Sequence, residues 1–140
     1  MTYKEIVTYI EEIPRFTRKH SLDHTREMLL FLGNPQNGKK IIHVAGTNGK
    51  GSTGAYLERV LIEAGYRVGR YSSPAVFDPM EVWRINLQSM SHEEYADIME
   101  QVKCACDRMV EKGMEHPTIF EVETAMAFLY FYQKKCDYVL

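Results

Sequence analysis

The reading of the chain turns on HVAGTNGKGSTGAY, residues His43 to Tyr56. A phosphate loop has the pattern G-x-x-x-x-G-K-[ST]. Counted back from Gly49-Lys50, its first glycine falls at position 44, where Val44 stands, and Gly51 replaces the Ser or Thr after the lysine. The physics survives both changes. Ile41 to Ala45 is a short, apolar, β-branched run and reads as a strand buried on both faces of a parallel sheet. Gly46, Gly49 and Gly51 open backbone conformations closed to other residues, so that N–H groups can converge on an anion. The helix that starts there presents the positive end of its dipole. Lys50 adds a full charge near the β- and γ-phosphates, and Ser52 and Thr53 supply hydroxyls for phosphate oxygens or Mg²⁺. A glycine-rich tight turn is the plainer alternative. Strand, glycines, lysine, hydroxyl pair and helix together favour a phosphate loop of a shorter class.

Outward from the loop, a helix runs from about Lys50 to Ala64, with Leu57, Val60, Leu61 and Ala64 as its inward stripe and Gly65 as its stop. Arg67 to Tyr71 reads as a second strand, and residues 41–71 as a βαβ unit of the usual ~30 residues. Upstream, Ile6, Tyr9, Ile10 and Ile13 mark a helix over 3–13 that ends at Pro14. Met28, Leu29 and Leu32 mark another over 23–32, with Asp23 as N-cap and Gly33 as stop. Residues 34–40 form a loop. Downstream, residues 72–88, with Pro74 and Pro79, read as a long irregular segment. Ser91 to Glu94 is a capping box that opens a helix to about Lys112. Glu121 to Gln133 is apolar nearly all round and reads as a deeply buried helix. Asp137 to Leu140 begins a third strand. The alternation gives an α/β fold with a mostly parallel sheet.

A chain of 140 residues makes one modest domain, and no boundary is visible in it. With 45% hydrophobic and 26% charged residues it falls in the soluble globular class. A net charge of -2 argues against nucleic acid or an anionic membrane as partner. Charges interrupt the N-terminus where a signal peptide needs an apolar stretch, and no run has membrane-spanning length. Cys104, Cys106 and Cys136, odd in number, favour free thiols and a cytoplasmic setting. The Cys104-x-Cys106 pair lacks the further ligands a zinc site needs. His43 reads as a core or supporting histidine. Tyr71, Phe77 and Trp83 could stack on a flat ligand but read more simply as packing. The chain stops inside an apolar run, as though cut in or just after a strand, and the sheet edges left open favour self-association.

Three motifs carry a family resemblance. Gly46-Thr-Asn-Gly-Lys-Gly-Ser-Thr53 resembles the ATP loop of folylpolyglutamate and dihydrofolate synthases, in the Mur ligase superfamily. Gly69-Arg-Tyr-Ser-Ser-Pro74 is similar to that family's G-x-Y-[TS]-S-P, where its omega loop starts. Thr118-Ile-Phe-Glu121, with Thr124-Ala125 and Ala127-Phe128 behind it, resembles the family's T-x-F-E…T-A-x-A-F helix. Two departures stand out: Ala75-Val76 where the family often has His-Leu, and Glu81-Val-Trp-Arg84-Ile85 where it has E-R-I.

The resemblance implies a P-loop-type, three-layer α/β domain, truncated part-way through its sheet. Residues 1–140 would be the N-terminal part of the ATP-binding domain, with central and C-terminal parts absent. It implies an ATP-dependent amide ligase that adds L-glutamate to folate or dihydropteroate through an acyl phosphate, with ATP and Mg²⁺ as cofactors. By the same resemblance Gly46, Thr47, Asn48, Gly49, Lys50, Gly51, Ser52 and Thr53 bind ATP, and Lys50 acts on the transferred phosphate. Ser52 and Ser73 are Mg²⁺ ligands. Ser73, Pro74, Thr118, Ile119, Phe120 and Glu121 line the substrate pocket, where the Glu121 carboxylate would accept two pterin N–H donors. Read by themselves, Ser73 is a turn serine, Thr118 an N-cap and Glu121 an acid at a helix N-terminus. The intact enzyme would be a monomer and these 140 residues alone inactive. Two other readings stay open: a nucleotide- or folate-binding module without turnover, and another P-loop phosphotransferase such as a small-molecule kinase.

Overall fold

A computed structural model describes residues 1–13, 22–46, 48–73, 75 and 77–140. In chain order the elements are α1 (Tyr3–Glu12), α2 (Leu22–Phe31), β1 (Lys40–Ile41), α3 (Lys50–Glu63), β2 (Val68–Tyr71), β3 (Trp83–Ile85), β4 (Gln88–Ser89), α4 (His92–Glu111), α5 (Ile119–Gln133) and β5 (Tyr138–Val139). The chain packs as two compact units, Met1–Asn37 with His92–Tyr130, and Gly38–Ser91 with Phe131–Leu140. Among the described residues no helix is long and apolar enough to cross a membrane.

The first unit is helical. Thr2 caps α1 through a capping box: its hydroxyl accepts from the Glu5 N–H, and the Glu5 carboxylate accepts from the Thr2 N–H. Ile13 then turns extended at φ -71, ψ 125, the conformation favoured before a proline. Both α1 and α2 pack on α4. Ile6, Met28, Met99, Val102, Cys106 and Met109 are wholly buried there, at the helical spacing read from the sequence. One boundary is corrected. Leu22 already belongs to α2, so Asp23 lies in its first turn rather than at its cap.

The second unit holds a five-stranded sheet in the order β1-β5-β2-β3-β4. β1, β5 and β2 run parallel, and β3 and β4 add an antiparallel hairpin. β5 lies between the two strands of the expected βαβ unit. Residues 77–88 are more regular than expected. Asp78 and Glu81 form a capping box around a 3₁₀ turn at Pro79–Val82, and β3 follows directly. The β3–β4 turn places Asn86 at φ 47 and Leu87 at φ 72, the two left-handed residues of a primed hairpin turn. Asn86 is also bound to β2: its side-chain oxygen accepts from the Val68 N–H at 2.8 Å and its own N–H donates to the Val68 carbonyl at 2.9 Å.

Two expectations fail around β1 and α3. β1 is the sheet's edge, paired only with β5 among the described residues, and Ile41 is 47% exposed. Strand geometry ends at Ile41, though the Ile42 N–H still reaches the Val139 carbonyl at 2.8 Å. His43 is exposed, not a core residue. On α3 the buried face is Gly54 and Glu58; Val60 is 64% exposed and Ala64 is also exposed. The apolar spacing misleads because this helix buries a charge that two arginines compensate.

Candidate functional site

The loop after β1 ends in a bare helix N-terminus. Gly46 has φ 149, and Gly49, the N-cap of α3, is left-handed at φ 75, with no side chain to bond the first turn. The Gly49 carbonyl accepts the first helical bond, from the Thr53 N–H at 2.8 Å. The N–H groups of Lys50, Gly51 and Ser52 precede it, and helix geometry gives them no intrahelical partner. A side chain at Gly49 or Gly51 would meet nothing within 4 Å. Gly46, Asn48, Gly49, Lys50, Gly51, Ser52 and Thr53 are all exposed; Thr47 lies outside the described residues. An open row of amides at a helix start, with a lysine on the first helical residue, fits a phosphate group by charge and by donor count.

Ser73 follows the end of β2. β1, β5 and β2 run parallel, so the loop after β1 and the Ser72-Ser73 segment after β2 leave the same edge of the sheet. Ser73 is exposed, and Pro74 lies outside the described residues. For Mg²⁺ the chain offers the hydroxyls of Ser52 and Ser73. Among the described residues no group of three His, Cys, Asp or Glu side chains could hold a metal ion. This donor set suits a hard cation that takes the rest of its shell from phosphate oxygens and water.

The floor of the loop is charged. Glu58 is 1% exposed, and its Oε1 lies 3.2 Å from Arg70 Nη1 and 4.0 Å from Arg84 Nη2. The other arm of Arg70 donates to the Gly51 carbonyl at 3.0 Å.

Thr118 to Glu121 belong to the first unit, at the start of α5. Thr118 is the N-cap: its hydroxyl accepts from the Glu121 N–H at 3.2 Å and its carbonyl from the Val122 N–H at 2.9 Å. Ile119 is partly buried and Phe120 is 64% exposed. Glu121 turns inward, 9% exposed, with Oε2 2.8 Å from His24 Nδ1. His24 Nε2 lies 2.8 Å from the Glu115 carbonyl, which can only accept, so Nε2 carries a hydrogen. A pterin that used both oxygens of Glu121 would have to share Oε2 with His24. On its outer side His24 forms one wall of an open hollow of about 460 Å³, with Asp23, Glu27, Lys112 and Met114.

No family model matches the chain. The dihydrofolate synthase/folylpolyglutamate synthase of Bacillus subtilis is 36% identical over 139 residues, 99% of this chain and 32% of that protein. Among solved structures, the apo form of L. casei FPGS superposes with a TM-score of 0.92 at 33% identity, over 99% of this chain and 34% of that one. The chain belongs to the folylpolyglutamate and dihydrofolate synthase family. An FPGS–AMPPCP–folate complex matches with a TM-score of 0.91 at 34% identity, over 99% of this chain and 34% of that one. The chain therefore spans about a third of the length of the relatives it matches.

Within this synthase family frame, sequence reasoning passed over Glu58, Arg70 and His24. Arg70 had a signal: a charge in the middle of the short strand Val68–Tyr71 needs a partner. Glu58 had one too, since it follows Gly54 by one helical turn and so shares its face. His24 had none, because its partner is 97 residues away. The Cys104-x-Cys106 pair divides as a helix requires, with Cys104 exposed and Cys106 buried, so the two do not share a face. Trp83 is packed at 2% exposure, whereas Phe77 is 92% exposed.

Proposed function

We propose that this chain is the phosphate-binding part of an ATP-dependent ligase that joins L-glutamate to folate or dihydropteroate. Residues 1–140 would form the N-terminal part of its ATP-binding domain. The observation that carries the reading is the uncapped, exposed start of α3, where left-handed Gly49 is followed by three amides without intrahelical partners and by Lys50. The family relationship supports the reaction class, and an FPGS relative has been solved with AMPPCP and folate.

A carboxylate resists attack by an amine because its oxide leaves badly. In the proposed reaction a substrate carboxylate oxygen attacks the γ-phosphorus, ADP leaves, and an acyl phosphate forms. The amine of L-glutamate then attacks the acyl carbon, loses a proton and expels phosphate. Phosphoryl transfer needs mainly alignment and charge neutralisation. The loop amides would hold the β- and γ-phosphates in line, and Lys50 would neutralise the charge that builds on them. Mg²⁺, when bound through Ser52 and Ser73, supplies further neutralisation. Thr118 to Glu121 would contact the pterin substrate. Free thiols and the absence of net positive charge fit a cytoplasmic enzyme without a nucleic-acid or membrane partner.

Calorimetric titration of the chain with ATP tests the reading, with Lys50→Ala as comparison. The expected result is saturable binding that weakens about 10-fold or more in Lys50→Ala. Equal binding by the two proteins would end the assignment of Lys50. The chain alone is expected to bind ATP without glutamate-dependent release of ADP, since it spans about a third of its relatives. Turnover by the chain alone would overturn that part.

A further inference from the structure

Arg70 is tied into the back of the phosphate loop. It faces Arg84 across the β2–β3 ladder as a direct cross-strand partner. Two like charges in that relation repel. Glu58 reaches down from α3 to both, closer to Arg70 at 3.2 Å than to Arg84 at 4.0 Å. Two guanidinium groups against one carboxylate leave the cluster with one net positive charge. Glu58 Oε2 and Arg84 Nε are buried without a hydrogen-bond partner among the described residues.

The position of Arg70 is specific. Nη2 donates to the Gly51 carbonyl at 3.0 Å, and Gly54 makes room for it, since a Cβ there would lie 3.2 Å from Nη2. The Gly51 carbonyl and the Ser52 N–H belong to one peptide group. A cation bonded to the carbonyl withdraws electron density across that group and strengthens its N–H as a donor. It also fixes the plane of the peptide. Ser52 N–H is the last of the three amides left unbonded at the start of α3.

We propose that Arg70, held by Glu58, is a positioning residue for the phosphate loop. It orients and polarises the Gly51–Ser52 peptide and sets a positive charge behind it, in favour of a polyphosphate in front. This rests on the phosphate-loop reading above. Arg70 acts through the peptide and does not itself touch the phosphate.

The test compares the wild-type chain with Glu58→Leu/Arg70→Leu, which replaces the buried pair with apolar groups and so preserves packing. ATP and pyrophosphate are titrated by calorimetry, folding is followed by thermal melting, and the Ser52 amide is followed by ¹⁵N NMR. The expected result is a folded double variant with about 10-fold weaker binding of both ligands and a shifted Ser52 amide resonance. Arg70→Lys, which keeps the charge but lacks the fork, is expected to fall between the two. A folded double variant with wild-type affinity overturns the proposal. If the double variant does not fold, Arg70→Lys decides, because it keeps a charge beside Glu58 but lacks the second arm that reaches the Gly51 carbonyl. Weaker binding with a moved Ser52 resonance supports the proposal, and no change in either overturns it. Failure of the phosphate-loop reading looks different: wild type and Lys50→Ala would bind ATP equally or not at all, and the proposal would fall with it.

Discussion

Phe131 fills the space into which a side chain at Gly69 would project: a Cβ there would lie 2.5 Å from Cδ1 of the ring. β2 alternates, so Gly69 turns to Phe131 while Arg70 turns to the opposite face. β2 is paired on both sides, to β5 and β3, and cannot retreat easily. Gly69→Ala is therefore expected to cost about 1–3 kcal/mol by overpacking, measured by urea denaturation. Phe131→Leu in the same background should recover part of that loss. A cost under about 0.5 kcal/mol would mean the ring simply swings aside.

At Gly49 the expected effect is purely of the backbone. A methyl group there meets nothing within 4 Å, yet φ is 75. Gly49→Ala should cost about 1–2 kcal/mol from the left-handed conformation alone. Gly49→Asn should cost less, since Asn tolerates that region. Equal stabilities for the two variants in the same denaturation series would contradict the strained-cap account.

The thiols predict a pH dependence. Burial pushes the Cys106 thiol from 9.0 up to about 12, and Cys136 up to about 11. Above pH 9 the unfolded chain releases these protons while the folded chain keeps them. Stability is thus whole below about pH 9 and falls as pH rises through the folded values, by up to ~1.4 kcal/mol per pH unit for each thiol. Tyr9 and Tyr95, also raised by burial, act in the same sense at still higher pH. Denaturation curves at pH 8 and pH 10.5 should differ, and Cys106→Ala should narrow the difference. At pH 8 a thiol reagent should modify exposed Cys104 well before the other two.

His24 and Glu121 should be costly to separate. Their side chains are 10% and 11% exposed, so His24→Ala takes one hydrogen-bond partner from a buried carboxyl group and removes a donor from the Glu115 carbonyl. A loss of about 1–3 kcal/mol is expected, with a smaller one for Glu121→Gln, which keeps a hydrogen-bonding group in place. Denaturation of the two single variants and their combination gives the coupling. Additive losses would show that the pair does not act as a unit.

The sequence made the helices legible where apolar spacing and caps agreed. α1, α4 and α5 fall within two residues of expectation at their ends, because Thr2, Gly113 and Pro14 or their neighbours mark the limits locally. The hairpin at Trp83–Ser89 was missed because its turn uses Asn86-Leu87. Leucine is not a usual left-handed residue, and only the register against β2 makes it one. The glycine loop was legible because its chemistry is contiguous in sequence. The face of α3 was not, since its burial is decided by arginines on two strands 12 and 26 residues further on. For Glu121 the sequence located the residue but not its orientation, which depends on His24.

Glu58, Arg70 and Arg84 also restrict how this protein can diverge. Removing Glu58 leaves two arginines facing each other, and removing Arg70 leaves the enclosed carboxylate only the more distant Arg84, a barrier that a lone substitution would have to cross. Lineages are expected to hold the three together or to exchange them for uncharged residues in close succession, so the trio should behave as one inherited character.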